Sequence, residues 1–242
     1  MINLLTEFKD APQLGMIFQG IYDLVPVILF MLGSVILLKT LYDKMVKGCY
    51  CLLCAGSVMV FSGGVLKAFH KIIMGLFRVD YVILDKQFTT TQSIGFLLLF
   101  LALLGMFTSY NTNHISKTTK LGALSLPLFI FLTDEVKYGD SGLPAFSNLW
   151  PFLSIMILGA AGFLVMLVII SIKMKCKVET ILFILAIIFM VGMGYLSTKR
   201  GYDGAWYQIS CNLCYQGVYF AGCLLLKKHG LKEVDLFTKK EN

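Results

Sequence analysis

In "WYQISCNLCYQGVYF", Gln208, Asn212 and Gln216 recur at i, i+4 and i+8, and Tyr219 follows nearly the same line of a helix. Carboxamides and a phenol at this spacing place uncharged donors and acceptors on one face of an otherwise apolar segment. Left unpaired in hydrocarbon, each such group costs several kcal/mol, so the face must look at other helices or at water. One reading is interhelical glue, at about 0.6 kcal/mol per bond. The other is a central path whose amides hydrogen-bond a small polar solute, with Tyr215 and Tyr219 adding stacking surface.

A second cluster lies in "SGGVLKAFHKIIMGLFRVD", where Lys67, Lys71 and Arg78 fall within about 40° of one another on a helix and His70 lies to one side. Phe69, Ile72, Ile73, Leu76 and Phe77 oppose them. Cations cannot stay in hydrocarbon at low cost, so the stretch 68–79 reads as an interfacial or protruding amphipathic helix beyond the end of a span. Its lysines can snorkel to lipid phosphates. Alternatively they form a cationic vestibule for an anionic solute or lipid headgroup.

Redox, metal and hydrolytic chemistry have weaker support. The pairs Cys51–Cys54 and Cys211–Cys214 have the CxxC spacing, which serves thiol exchange when one thiolate is exposed at a helix end. They fall near opposite ends of the expected bundle and cannot join into one four-cysteine metal site. Gly139–Gly142 reads "GDSG" with no histidine nearby, and His114 and His229 are expected on the other side. The apolar runs offer no obvious Asp or Glu, which argues against a carboxylate proton relay or a buried metal centre. No cofactor is implied.

The elements that must position these residues follow from composition. Of 242 residues 57% are hydrophobic and only 14% charged, and the mean hydropathy is +0.79. That balance belongs in a bilayer. Apolar runs at about 21–38, 50–66, 92–109, 121–133, 150–172, 180–197 and 206–226 predict an all-α integral membrane protein of about seven spans. Residues 1–20 form an outer segment, read as retained because no basic n-region or cleavage site marks a signal peptide. Residues 21–226 form the transmembrane domain, and 227–242 a basic tail.

The net charge of +7 is dispersed in short clusters between apolar runs, which argues against nucleic acid as a partner. It fits topology instead. With the N-terminus outside, inner loops hold Lys39, Lys44, Lys47, Lys117, Lys120, Lys173, Lys175 and Lys177, the tail adds Lys227, Lys228, Lys232, Lys239 and Lys240, and Lys67, Lys71, Arg78, Lys86, Lys199 and Arg200 are the outer exceptions. Trp150 and Trp206 then open spans at the outer interface. Seven cysteines without the spaced framework of a secreted domain read as reduced, buried thiols.

An internal echo adds to this layout. "DLVPVILFMLG" from Asp23 is similar to "NLWPFLSIMILG" from Asn148, and "VMVFSGGVLKAFHK" to "IIFMVGMGYLSTKR". Spans one to three would then repeat as five to seven around a fourth, a three-one-three layout that resembles the architecture of SWEET-type sugar transporters. Gly33, Gly63, Gly64, Gly159, Gly162, Gly192 and Gly194 are expected to permit close helix approach. The expected function is passage of a small polar solute through a site on the seventh span, in a cell membrane of the bacterial inner-membrane kind. A membrane sensor or assembly subunit that binds lipid or a protein partner through its basic tail, and a thiol oxidoreductase, are the alternatives.

Overall fold

A backbone surrounded by apolar side chains must satisfy its own N–H and C=O groups, and the long apolar runs here do so as α-helices. The computed structural model describes residues 12–78, 82–109, 150–196 and 202–231. It contains α1 (Gln13–Leu41), α2 (Lys47–Phe77), α3 (Val82–Ser109), α4 (Trp150–Lys173), α5 (Lys177–Leu196) and α6 (Tyr202–Lys228). All six are long and apolar enough to cross a membrane. The apolar run at 121–133, the GDSG loop, His114 and the segment 232–242 lie outside the described residues.

Three helices, α1, α2 and α3, extend well beyond their apolar runs. At 1.5 Å per residue the 31 residues of α2 span about 46 Å, well beyond a hydrocarbon core of about 30 Å. The expected break between a span and a separate amphipathic helix is absent, and α2 continues unbroken to Phe77. It ends where Arg78 enters the left-handed region (φ 55°) and returns its N–H to the Met74 carbonyl. The start of α1, at Gln13 rather than near 21, supports this extension. Gln13 Nε2 donates to Leu76 O, and Met16 packs against Met74 and Tyr202.

The helices pack in ring order, α1 on α2, α2 on α3, α3 on α4, α4 on α5, α5 on α6, and α6 back on α1. Contact order along each pair gives direction. Residues 15, 22 and 33 of α1 meet 202, 206 and 219 of α6, so these helices are parallel. Ser93, Leu97, Phe100 and Phe107 of α3 meet Phe152, Gly159, Gly162 and Lys173 of α4, a second parallel pair. The remaining neighbours are antiparallel. Consequently Lys39, Lys44, Lys47, Lys173, Lys175, Lys177, Lys227 and Lys228 all gather at one end of the bundle.

Inside the ring, Phe30 stacks on Tyr219 with ring centroids 5.6 Å apart, and Phe96 and Phe163 pack at 6.1 Å from Phe30 and 5.9 Å from Tyr219. These four rings, drawn from α1, α3, α4 and α6, are buried and form the middle of the core. The outside is equally apolar. Leu14, Phe18, Ile28, Leu32, Leu158, Val165, Ile184, Ile188 and Val191 are exposed, a surface suited to lipid tails rather than to water and compatible with a multi-pass membrane protein.

The glycine expectation holds in part. A Cβ on Gly33 would approach the Tyr219 ring to 2.6 Å, and one on Gly159 would lie 2.6 Å from the backbone N of Leu97. Gly63, Gly64 and Gly162 are equally tight against Gln92, Val27 and Phe100. Gly192 has only ordinary clearance at 3.6 Å from Cys211, and a Cβ on Gly194 meets nothing within 4 Å. These two lie in the last turns of α5 and mark no close helix approach.

Candidate functional site

The amide face of α6 divides between neighbours. Gln208 Nε2 donates to the carbonyl of Leu196, the last residue of α5, and so satisfies one of the orphan acceptors at a helix end. That is glue in the sense anticipated for this face. Asn212 is half-buried. Gln216 goes deepest: the residue is 6% exposed, its side chain bonds that of the neighbouring Tyr215, and its Oε1 is buried with no hydrogen-bond partner among the described residues.

One turn further, the Tyr219 hydroxyl and Ser34 Oγ on α1 lie 3.2 Å apart and share a hydrogen bond. Tyr215 is also buried. Gln216 and Tyr219 therefore sit at the level of the four-ring cluster, with Gln208 two turns toward the other end. A groove of about 450 Å³ opens on the α1–α6 seam between Phe18, Tyr22, Val25, Tyr202 and Trp206. It is apolar, and the amides are not among its lining residues.

The basic stretch on α2 also divides. Lys71 Nζ lies 2.6 Å from Asp23 Oδ2 on α1, with the two side chains only 14% and 5% exposed. Lys67 turns to the opposite neighbour, its Nζ 4.8 Å from the centre of the Phe88 ring on α3. His70 is buried, and Arg78 closes the helix. The two lysines leave the helix about 40° apart, and their long stems carry the charges to different helices.

Asp23 corrects the expectation that the spans hold no carboxylate. Gln19, Asp23, Phe30 and Ser34 share one buried face of α1 at i, i+4, i+11 and i+15. That period was available in the sequence and would have marked Asp23 as interior.

A second carboxylate lies at the lysine-rich end. Glu179, in the first turn of α5 and 1% exposed, meets His229 Nδ1 at the end of α6. Cys176 joins them, and one donor atom from each residue lies within 4.8 Å of the others. Two helix stops hold this arrangement. Lys175 takes a left-handed conformation (φ 59°) while Cys176 N donates to Ser171 O, and Gly230 (φ 78°) ends α6 as Leu231 N donates to Leu226 O. Burial, and then the adjacent Glu179 charge, raise the Cys176 thiol above its ordinary range.

None of the seven cysteines forms a disulfide in the structure. Cys211 Sγ points at the Phe189 carbonyl, 3.2 Å away on α5, while Cys214 is exposed. Cys51 is exposed and Cys54 half-buried on α2. No family model, curated protein or solved structure matches the chain, so its function has to be argued from these residues.

Proposed function

We propose that the chain is a seven-span integral membrane protein that lets a small polar solute cross a cell membrane, with its site at Gln216 and Tyr219. The observation that carries this reading is the orphaned Gln216 oxygen. A buried acceptor without a partner costs about 1–3 kcal/mol, and a solute hydroxyl or amide would supply the missing donor. Gln208 serves as glue to α5 in this reading, while Asn212 continues the polar line outward from the site. In this reading the aromatic cluster of Phe30, Phe96, Phe163 and Tyr219 closes the path.

The seventh span is supported by direction. Because α3 and α4 are parallel, Ser109 and Trp150 stand at opposite ends of the bundle, the arrangement that a further crossing between them would produce. Two sets of three helices, α1–α3 and α4–α6, then share one orientation and meet at two parallel seams. Gly33 of α1 admits α6 at one seam, and Gly159 of α4 admits α3 at the other. These are the glycines paired in the sequence echo, which favours a parallel repeat with the site between its halves. The gathered lysines make their end cytoplasmic and the N-terminus external. At the cytoplasmic end Lys173, Lys175, Lys177, Lys227 and Lys228, with the basic tail, contact anionic headgroups.

Gln216→Leu removes the acceptor while keeping the volume. In proteoliposomes challenged with glycerol, urea, glucose and glutamine, the wild-type chain is expected to accelerate entry of at least one, and the variant to slow that entry at least tenfold. If Gln216 only packs, removing an unsatisfied oxygen leaves transport unchanged and raises thermal stability. No accelerated entry of any solute by the wild-type chain would remove the transport reading.

A further inference from the structure

We propose that Cys176, Glu179 and His229 form a binding site for a zinc-class divalent cation, which joins the α4–α5 turn to the end of α6. The three residues come from separate places in the chain, a turn, a first helical turn and a helix end, and bring one thiol, one carboxylate and one imidazole together. This donor set suits zinc, which accepts sulfur, nitrogen and oxygen in a tetrahedral shell. A hard cation such as calcium or magnesium would find one carboxylate where it needs several oxygens.

The geometry lies close to what the metal requires. Ligand atoms around tetrahedral zinc stand roughly 3.3–3.8 Å apart, given bonds of about 2.0–2.3 Å. Here the three donors lie within 4.8 Å of one another, so side-chain rotations of about 1 Å close the shell. His229 Nδ1 and Glu179 Oε1 are in hydrogen-bond contact, and the metal would replace that contact with a bond to each. The thiol proton of Cys176 leaves, because only the thiolate ligates.

The site is anchored below and open above. Glu179 is 1% exposed, a charge that a helix N-terminus helps to hold but that burial makes expensive without a cationic partner. The His229 side chain is 53% exposed, which gives the ion an entry and leaves room for a water or a fourth ligand. The protein backbone sets the positions of both soft ligands through the left-handed stops at Lys175 and Gly230. The Ser171–Thr180 hydroxyl pair, 2.9 Å apart, ties α4 to α5 at the same level.

Cobalt(II) gives a direct test on the full chain in lipid nanodiscs. The expected result is about one Co²⁺ per chain, with a sulfur-to-cobalt charge-transfer band and the intense visible bands of a tetrahedral site, both displaced by Zn²⁺. Cys176→Ser should abolish the charge-transfer band, and Glu179→Gln and His229→Asn should each weaken binding at least tenfold. Zn²⁺ should also protect Cys176 from maleimide labelling. The Cys51→Ser/Cys54→Ser and Cys211→Ser/Cys214→Ser variants should keep the full spectrum, and helicity and monodispersity report whether each variant has folded. Absence of Co²⁺ uptake, or a band that survives in Cys176→Ser and disappears with either CxxC pair, overturns the assignment.

Discussion

Lys71→Met is expected to lower stability by about 3–5 kcal/mol, because it leaves the Asp23 carboxylate in the α1–α2 interface without its ammonium partner. The pair is 2.6 Å apart with the carboxylate side chain 5% exposed, so water cannot take over the lost contact. Carboxylates in such a place either stay charged and destabilise the helix pair or bind a proton at the same expense. The measurement is unfolding of the purified protein in mixed micelles, followed by circular dichroism. Asp23→Leu combined with Lys71→Met is expected to recover most of the loss, since an apolar pair of similar volume removes both desolvation penalties. A loss below about 1 kcal/mol for Lys71→Met would show that the pair is solvated and not part of the packed interface.

Gly159→Ala is expected to destabilise by about 2 kcal/mol, an overpacking penalty at the α3–α4 seam. The added methyl would lie 2.6 Å from Leu97 N and 2.8 Å from Phe96 C, and backbone atoms cannot rotate aside. The helices must separate, which also loosens Ser93 Oγ from the Phe152 carbonyl, at present 2.7 Å away. The same substitution at Gly194 meets open space and is expected to be neutral or to gain up to about 1 kcal/mol through helix propensity. Paired melting curves of the two variants read the difference. Equal effects at the two positions would mean that the seam is wider than the structure shows.

The helical class and the positions of six spans were readable because hydrocarbon imposes a simple rule on backbone and side chains alike. Their ends were not, since Gln13 and Gln19 extend α1 by bonding to carbonyls of residues 76 and 202, far away in the chain. The amide face of α6 was visible from its spacing. Its division between α5 and the interior depended on which neighbour each amide meets, and spacing along one helix carries no such information. Asp23 was missed because a charge near the edge of an apolar run looks like a boundary. Glu179 was missed for the same reason, and His229 because 50 residues and a helix end separate it from its partner.

The parallel seam of α1 and α6 has a consequence for how the molecule is made. Gln19 waits for the Tyr202 carbonyl and Ser34 for the Tyr219 hydroxyl, and both partners belong to α6, 183 and 185 residues further along the chain. Asp23, by contrast, finds Lys71 as soon as the second helix inserts. The first hairpin can therefore neutralise its charge early, while Gln19 and Ser34 stay unmatched until α6 is made.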